Sequence, residues 1–128
     1  METYDPAPSG GARSIQTGDA SITYRAHKFG GSSVADAERY RHVAALLQDS
    51  PAPRVVVVSA MQGVTDALIG LADAASRGGD WQAEWSQLRR RHLAEAERLD
   101  PRNSQALAAW FDSEFSSLWE SLGRIAGA

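Results

Sequence analysis

The sequence predicts an α/β domain in which parallel strands alternate with helices. Three observations support this prediction: two short runs of strand-forming residues, a glycine turn after each run, and helical periodicity behind each turn. The chain has 128 residues, of which 43% are hydrophobic and 23% are charged, values typical of one soluble globular domain.

Composition excludes several classes of function. The chain contains no cysteine, which excludes a disulfide framework, a Cys-ligated zinc site and a thiol nucleophile. The net charge of −3 argues against a nucleic-acid partner. No apolar stretch approaches the roughly 18 residues of a membrane span, and no secretory signal is evident, so we expect no membrane partner and a cytoplasmic location. Lys28 is the only lysine in a chain that otherwise uses arginine.

The first α/β unit is expected to begin after a tail. Residues 1–20 are rich in Gly, Pro, Ser and Asp, which predicts a disordered tail, with the domain occupying residues 21–128. Residues 22–29 alternate as a strand does and stop at two glycines. Ser33, with a carboxylate three residues later at Asp36, predicts the N-cap of a helix that Pro51 ends.

The second unit repeats this order. The continuous run of valines at 55–58 is typical of a parallel strand buried on both faces. A helix is predicted over 65–77, ended by Gly78 and Gly79. Two parallel strands leave an unpaired edge, and from this we expect the chain to be the N-terminal piece of a larger domain.

The remaining residues predict an antiparallel pair of helices. Asp80 is expected to cap the first helix, and Asp100 with Pro101 to begin the second. The four tryptophans and most leucines recur there at helical spacing, which favours core packing, or a contact with domains missing from this chain, over a cofactor site. The three histidines lack ligand spacing and are predicted to be structural or exposed, and the basic run at 89–91 is predicted to be a solvated face.

The residues that carry chemistry follow the two strands. After the first strand, Lys28 supplies a point charge, Gly30 and Gly31 allow close backbone approach, and Ser32 adds a hydroxyl. The helix behind them is expected to offer free N–H groups and its positive dipole end, so the loop forms a cradle for phosphate. The alternative is a plain tight turn before a capped helix.

The second strand is followed by a similar loop. Ser59 ends the valine run, Gly63 makes a turn, and Thr65 stands where a helix N-cap is expected. Ligands bind at the carboxyl ends of parallel strands, so the two loops are expected to face one pocket.

These two loops resemble motifs of the aspartate kinases. The first match is Lys-Phe-Gly-Gly-Ser-Ser-Val at 28–34 followed by Ala-Asp, and the second is Ser-Ala-Met-Gln-Gly-Val-Thr at 59–65. The similarity is best over residues 22–77. The helical region after residue 80 is similar in layout to the bifunctional aspartokinase–homoserine dehydrogenases.

The resemblance implies the amino-acid kinase fold, an α/β/α sandwich, and ATP- and magnesium-dependent phosphorylation of L-aspartate on the route to lysine, threonine and methionine. It implies that Lys28 stabilises the transferring phosphoryl group, that Gly30, Gly31 and Ser32 hold phosphate oxygens, and that Ser59 and Thr65 contact aspartate. The family's later Gly-Glu motif, adenine-binding half and ACT domains have no counterpart in these 128 residues. The isolated chain is therefore expected to be inactive, and a full-length parent to be a homo-oligomer.

Two other functions remain open from the sequence. One is a kinase of the same fold that acts on another carboxylate, on carbamate or on a nucleotide. The other is a non-catalytic α/β interaction module in which the glycine turns are only structural.

Overall fold

The computed structural model combines a three-stranded sheet with four helices. It describes residues 12–17 and 20–128, with side chains described from Tyr24 onward. The elements in chain order are β1 (Ala12–Thr17), β2 (Ala20–Phe29), a 3-10 turn (Gly31–Val34), α1 (Ala37–Gln48), β3 (Arg54–Val58), α2 (Val64–Ser76), α3 (Gln82–Leu99) and α4 (Ser104–Ala126).

The sheet confirms the predicted parallel pair. Its strand order is β1-β2-β3, and β2 runs parallel to β3 with Lys28 in register with Val57. The helix α1 connects them, as a crossover between parallel strands requires. The two strands therefore end at the same edge of the sheet.

The predicted tail is wrong for residues 12–17 and for Ala20, which begins β2. Residues 12–17 form β1, which pairs antiparallel with β2, with Ala12 opposite Arg25. Two residues, Gly18 and Asp19, separate the two strands in the sequence. A spacing of two such residues indicates a hairpin, and the prediction of a tail from composition missed this signal. Residues 1–11 and 18–19 of the predicted tail lie outside the described residues.

The predicted burial of Val55–Val58 is also wrong. These side chains are 39–55% exposed. The reason is that the described helices pack mainly against one another instead of against β3. Since β3 is an outer strand of the described sheet, the prediction of an unpaired edge is confirmed.

The hydrophobic core is formed by the helices and the loop before α2. Leu71 of α2 is fully buried and packs in one cluster with Leu88, Phe115 and Leu122. Burying one such leucine contributes roughly 1.5–3 kcal/mol. The indole Nε1 of Trp85 donates to the Phe115 carbonyl at 3.0 Å, which satisfies the polar atom of this half-buried ring.

The helices α3 and α4 form the predicted antiparallel hairpin. Contacts between them run in opposite directions along the chain: Trp81 packs on Trp119, Trp85 on Phe115 and His92 on Phe111. His92 is structural as predicted, because its Nδ1 donates to the Leu88 carbonyl and its ring packs on two phenylalanines. Trp110 is 57% exposed and lies outside this core.

Two predicted helix starts are shifted. The N-cap of α1 is Asp36 and not Ser33, because Ser33 lies inside the 3-10 turn and donates its N–H to the Gly30 carbonyl. The helix α4 begins at Ser104, after a turn in which the Asp100 carboxylate accepts from the side chain and backbone of Asn103. These hydrogen bonds, led by the one from the Asn103 side chain, lower the pKa of Asp100 below its ordinary value.

The end of α2 and the start of α3 agree more closely with the predictions from the sequence. Gly78 has a φ of 67°, and its N–H and that of Gly79 bond back to the carbonyls of Ala75 and Ala74, the pattern predicted for a terminating glycine. Asp80 accepts from the Gln82 N–H, although the N-cap residue of α3 is Trp81. Among the described residues, no helix is long and apolar enough to cross a membrane.

We expect Leu71→Ala to lower the free energy of unfolding by about 2–5 kcal/mol, because truncation leaves a cavity in the helical core. Leu68→Ala, on the same helix but 39% exposed, is the matched control and should cost clearly less. Urea unfolding of both variants measures the difference. Equal losses would show that the core does not centre on Leu71.

Candidate functional site

The two loops that follow β2 and β3 lie against each other. We name residues 30–36 the first loop and residues 59–63 the second loop. The Ser59 N–H donates to the Phe29 carbonyl at 3.0 Å, which extends the parallel pairing to the loops. A Cβ placed on Gly31 would lie 3.5 Å from the Gln62 Cα, so the loop backbones are close neighbours. Both loops therefore meet at one edge of the sheet, and the expectation that they face one pocket stays a prediction.

The first loop presents exposed groups beside the strand end. Lys28 and Ser32 are exposed and Gly31 is half-buried. Lys28 points to the opposite face of β2 from His27 and Phe29, whose rings stack on each other, because successive side chains of a strand alternate. His27 is structural as predicted, with its Nε2 2.8 Å from the Ser50 hydroxyl.

Gly30 is not a glycine that this backbone requires. Its φ is −79° and its ψ 176°, a conformation open to any residue. A Cβ built there meets nothing within 4 Å. The missing side chain therefore leaves open space next to the loop backbone, as close approach of a ligand would need.

The helix end expected to serve a phosphate is already occupied. The Ala37 N–H, at the start of α1, donates to Glu95 Oε2 at 2.8 Å. The Arg39 N–H donates to Asp36 Oδ1 at 2.9 Å. Two carboxylates thus bind the positive end of the helix. The prediction that α1 offers free N–H groups to a ligand is wrong at these two positions, and the remaining phosphate-binding candidates are Lys28 and the first loop.

The second loop does require its glycine. Gly63 has a φ of +80° and is the N-cap of α2. The Val64 N–H closes the turn on the Met61 carbonyl, and the buried Met61 side chain anchors the loop in the helical core. Thr65 is therefore not the cap: it lies in the first turn of α2, where it is exposed like Ser59.

Sequence reasoning missed the part played by α3. The prediction of a solvated face for the basic run Arg89–Arg91 is confirmed for Arg90, which is exposed, and wrong for Arg89 and Arg91. Arg89 pairs with Asp112 of α4, and Arg91 donates to the carbonyls of both loops. The signal available in the sequence was the spacing of Arg91 and Glu95, four residues apart and so on one face of a helix.

A cavity of about 280 Å³ lies behind the second loop. Its walls are mainly apolar, and half-buried Tyr40 is among them. Burial raises the pKa of the Tyr40 phenol above its ordinary value. Phosphate recognition relies on cations and N–H donors, and this mainly apolar lining, which includes the Glu95 carboxylate, does not suit it.

The described residues offer no cage for a metal ion. No three His, Cys, Asp or Glu side chains among them come together in a group that could hold one. Magnesium commonly binds through one or two carboxylates together with substrate phosphates, so a nucleotide could bring the ion with it.

A comparison with protein-family models matches residues 24–124 to the amino acid kinase family. The chain belongs to the amino acid kinase family. The match covers both loops, α3 and most of α4, and the mixed fold with its small parallel sheet is that of an N-terminal portion of the amino acid kinase fold.

Two relatives of this amino acid kinase chain are named bifunctional aspartokinase/homoserine dehydrogenase 1, chloroplastic. The protein from Zea mays is 34% identical over 101 residues, which cover 73% of this chain and 11% of the relative. The protein from Arabidopsis thaliana is 33% identical over 106 residues, which cover 80% of this chain and 12% of the relative. The chain therefore spans about one ninth of the length of these relatives.

We expect Gly63→Ala to lower the free energy of unfolding by about 1–2 kcal/mol, because the left-handed backbone strains any residue with a Cβ. Gly30→Ala is the matched control in the first loop and should not destabilise the chain, because its backbone and surroundings accept a methyl group. Thermal unfolding measures both. A larger loss in Gly30→Ala would contradict this account of the loops.

Proposed function

We propose that this chain supplies the phosphate and acceptor loops of an aspartate kinase. The observation that carries the proposal is the juxtaposition of the two loops at the carboxyl ends of parallel strands, with Lys28 beside them. Membership of the amino acid kinase family supports a phosphotransferase, and the names of the two relatives support aspartate as the acceptor.

The proposed roles follow from the chemistry of each group. Lys28 is a compact cation that would stabilise charge on the transferring phosphoryl group. The backbone of Gly30 and Gly31 and the Ser32 hydroxyl would donate to phosphate oxygens, and the open space at Gly30 gives such a ligand access. Ser59 of the second loop and Thr65 in the first turn of α2 are exposed and would contact aspartate.

The reaction we propose needs no general base. The β-carboxylate of L-aspartate is ionised at pH 7 and attacks the γ-phosphorus of ATP directly. A new P–O bond forms to the carboxylate oxygen while the bond from the γ-phosphorus to the β–γ bridging oxygen breaks, giving 4-phospho-L-aspartate and ADP. Transfer of this kind depends on positioning and charge neutralisation, which are what the two loops would provide. Magnesium would neutralise phosphate charge when bound with ATP.

Turnover, as we propose it, requires further residues besides these 128. These 128 residues correspond to about one ninth of the relatives' length, and we propose that they need the remaining part of a kinase domain for turnover. A cytoplasmic location and a homo-oligomeric parent stay predictions.

We expect Mg-ATP to shift the NMR amide signals of Gly30, Gly31 and Ser32 in the 128-residue chain. Lys28→Met should weaken this binding roughly 10- to 100-fold, because a charge-assisted hydrogen bond to phosphate is worth about 1.5–3 kcal/mol. Arg25→Met removes an exposed cation from the same strand, nearer its start, and is the matched control. The absence of shifts in the first loop would favour a non-catalytic module in place of a kinase.

We expect no aspartate-dependent ADP release from the 128-residue chain, and turnover from a chimera in which residues 24–124 replace the matching segment of the Zea mays relative. A coupled assay with ATP, magnesium and a panel of acceptors measures both. Lys28→Met in the chimera should lower kcat by at least about 10²-fold, as loss of a charge-stabilising group does. Turnover by the chain alone, or a preference for another acceptor, would contradict the proposal.

A further inference from the structure

One side chain of α3 binds the backbones of both loops. Arg91 Nη2 donates to the Gln62 carbonyl of the second loop at 2.8 Å and to the Ala35 carbonyl of the first loop at 3.2 Å. Its Nη1 lies 3.9 Å from the position of a Cβ on Gly63. The guanidinium group therefore lies against the backbones of both loops.

Further hydrogen bonds join α3 to α1 beside this bridge. Glu95, one turn later on α3, accepts the Ala37 N–H that follows the first loop. Its other carboxylate oxygen accepts from Arg98 at 3.1 Å, and Arg41 of α1 donates to the Arg98 carbonyl. The helix α3 is itself fixed by the core through Leu88 and Ala96, which are buried on it.

We propose that Arg91 is a positioning residue that sets the spacing of the two loops, and so the alignment of phosphoryl donor and acceptor. This inference rests on the proposed function. Arg91 acts through two carbonyl groups of the loop backbones and has no proposed contact with the reacting atoms.

Alignment is the property that such a bridge would control. Phosphoryl transfer needs the attacking and leaving oxygens in line, and a misplacement of about 1 Å can cost on the order of 10²-fold in rate. The parallel strands align the loops where they begin, through Ser59 and Phe29. Beyond this point Arg91 supplies a link between Gln62 and Ala35, on the far side of each turn.

The first test needs no ligand and compares Arg91→Met with Arg90→Met in the 128-residue chain. Arg90 is the adjacent exposed arginine and bonds only within α3, to Ser86, so its variant is a matched control. We expect Arg91→Met to shift the amide signals of both loops, at residues 35–36 and 62–63, and to leave the Trp85 indole signal of the core in place. Arg90→Met should leave both loops unchanged. A change in one loop only would overturn the bridge.

The second test uses the active chimera. We expect Arg91→Met to lower kcat on the order of 10²-fold while KM for ATP and for aspartate change less than about 3-fold, because each loop would still bind its own ligand. A rise in both KM values with kcat unchanged would overturn the positioning role. If the chimera does not use aspartate, the proposed function fails, while the ligand-free comparison still decides whether Arg91 couples the loops.

Discussion

The parallel pairing of β2 with β3 is the constraint on which the candidate site depends. It sets Lys28 beside Val57 and carries the ladder one step further, to the bond between Ser59 and the Phe29 carbonyl. Because both strands end at one edge, the turns that follow them become neighbours. An antiparallel pair would have placed these turns at opposite ends of the sheet.

The helices supply the stability that the sheet lacks. Leu71 and Phe115 lie in the core, and none of the strand side chains described, at residues 24–29 and 54–58, is buried in it. The helix α3 belongs to both parts of the molecule. Leu88 packs in the core, whereas Arg91 and Glu95 hold the loop backbones. The helix α3 therefore links the hydrophobic core to the two loops.

Much of the fold could be predicted because period and composition are local signals. These signals located β2, β3, the hairpin of α3 and α4, and the glycines that end α2. The predicted parallel pairing of the strands then indicated that the two loops meet. Burial of Val55–Val58 could not be predicted in this way, because it depends on what covers the strand. The cap of α1 at Asp36 was missed because a 3-10 turn occupies the residues where the helix was expected to start. Arg91 was missed because its partners are backbone carbonyls, which residue identity does not specify, and its spacing from Glu95 indicated only a shared helix face.

Gly63 and Gly30, one in each loop, differ in whether the backbone conformation itself requires a glycine. Gly63 sits at positive φ, so the backbone of the second loop accounts for it fully. Gly30 has an ordinary extended backbone with empty space where a side chain would be, so nothing within the described structure accounts for it. The backbone conformation of Gly30 does not require a glycine. A position without a side chain next to Lys28 would let a phosphate approach the backbone closely, as the proposed function requires. This contrast favours a binding role for the first loop over a turn that serves the fold alone.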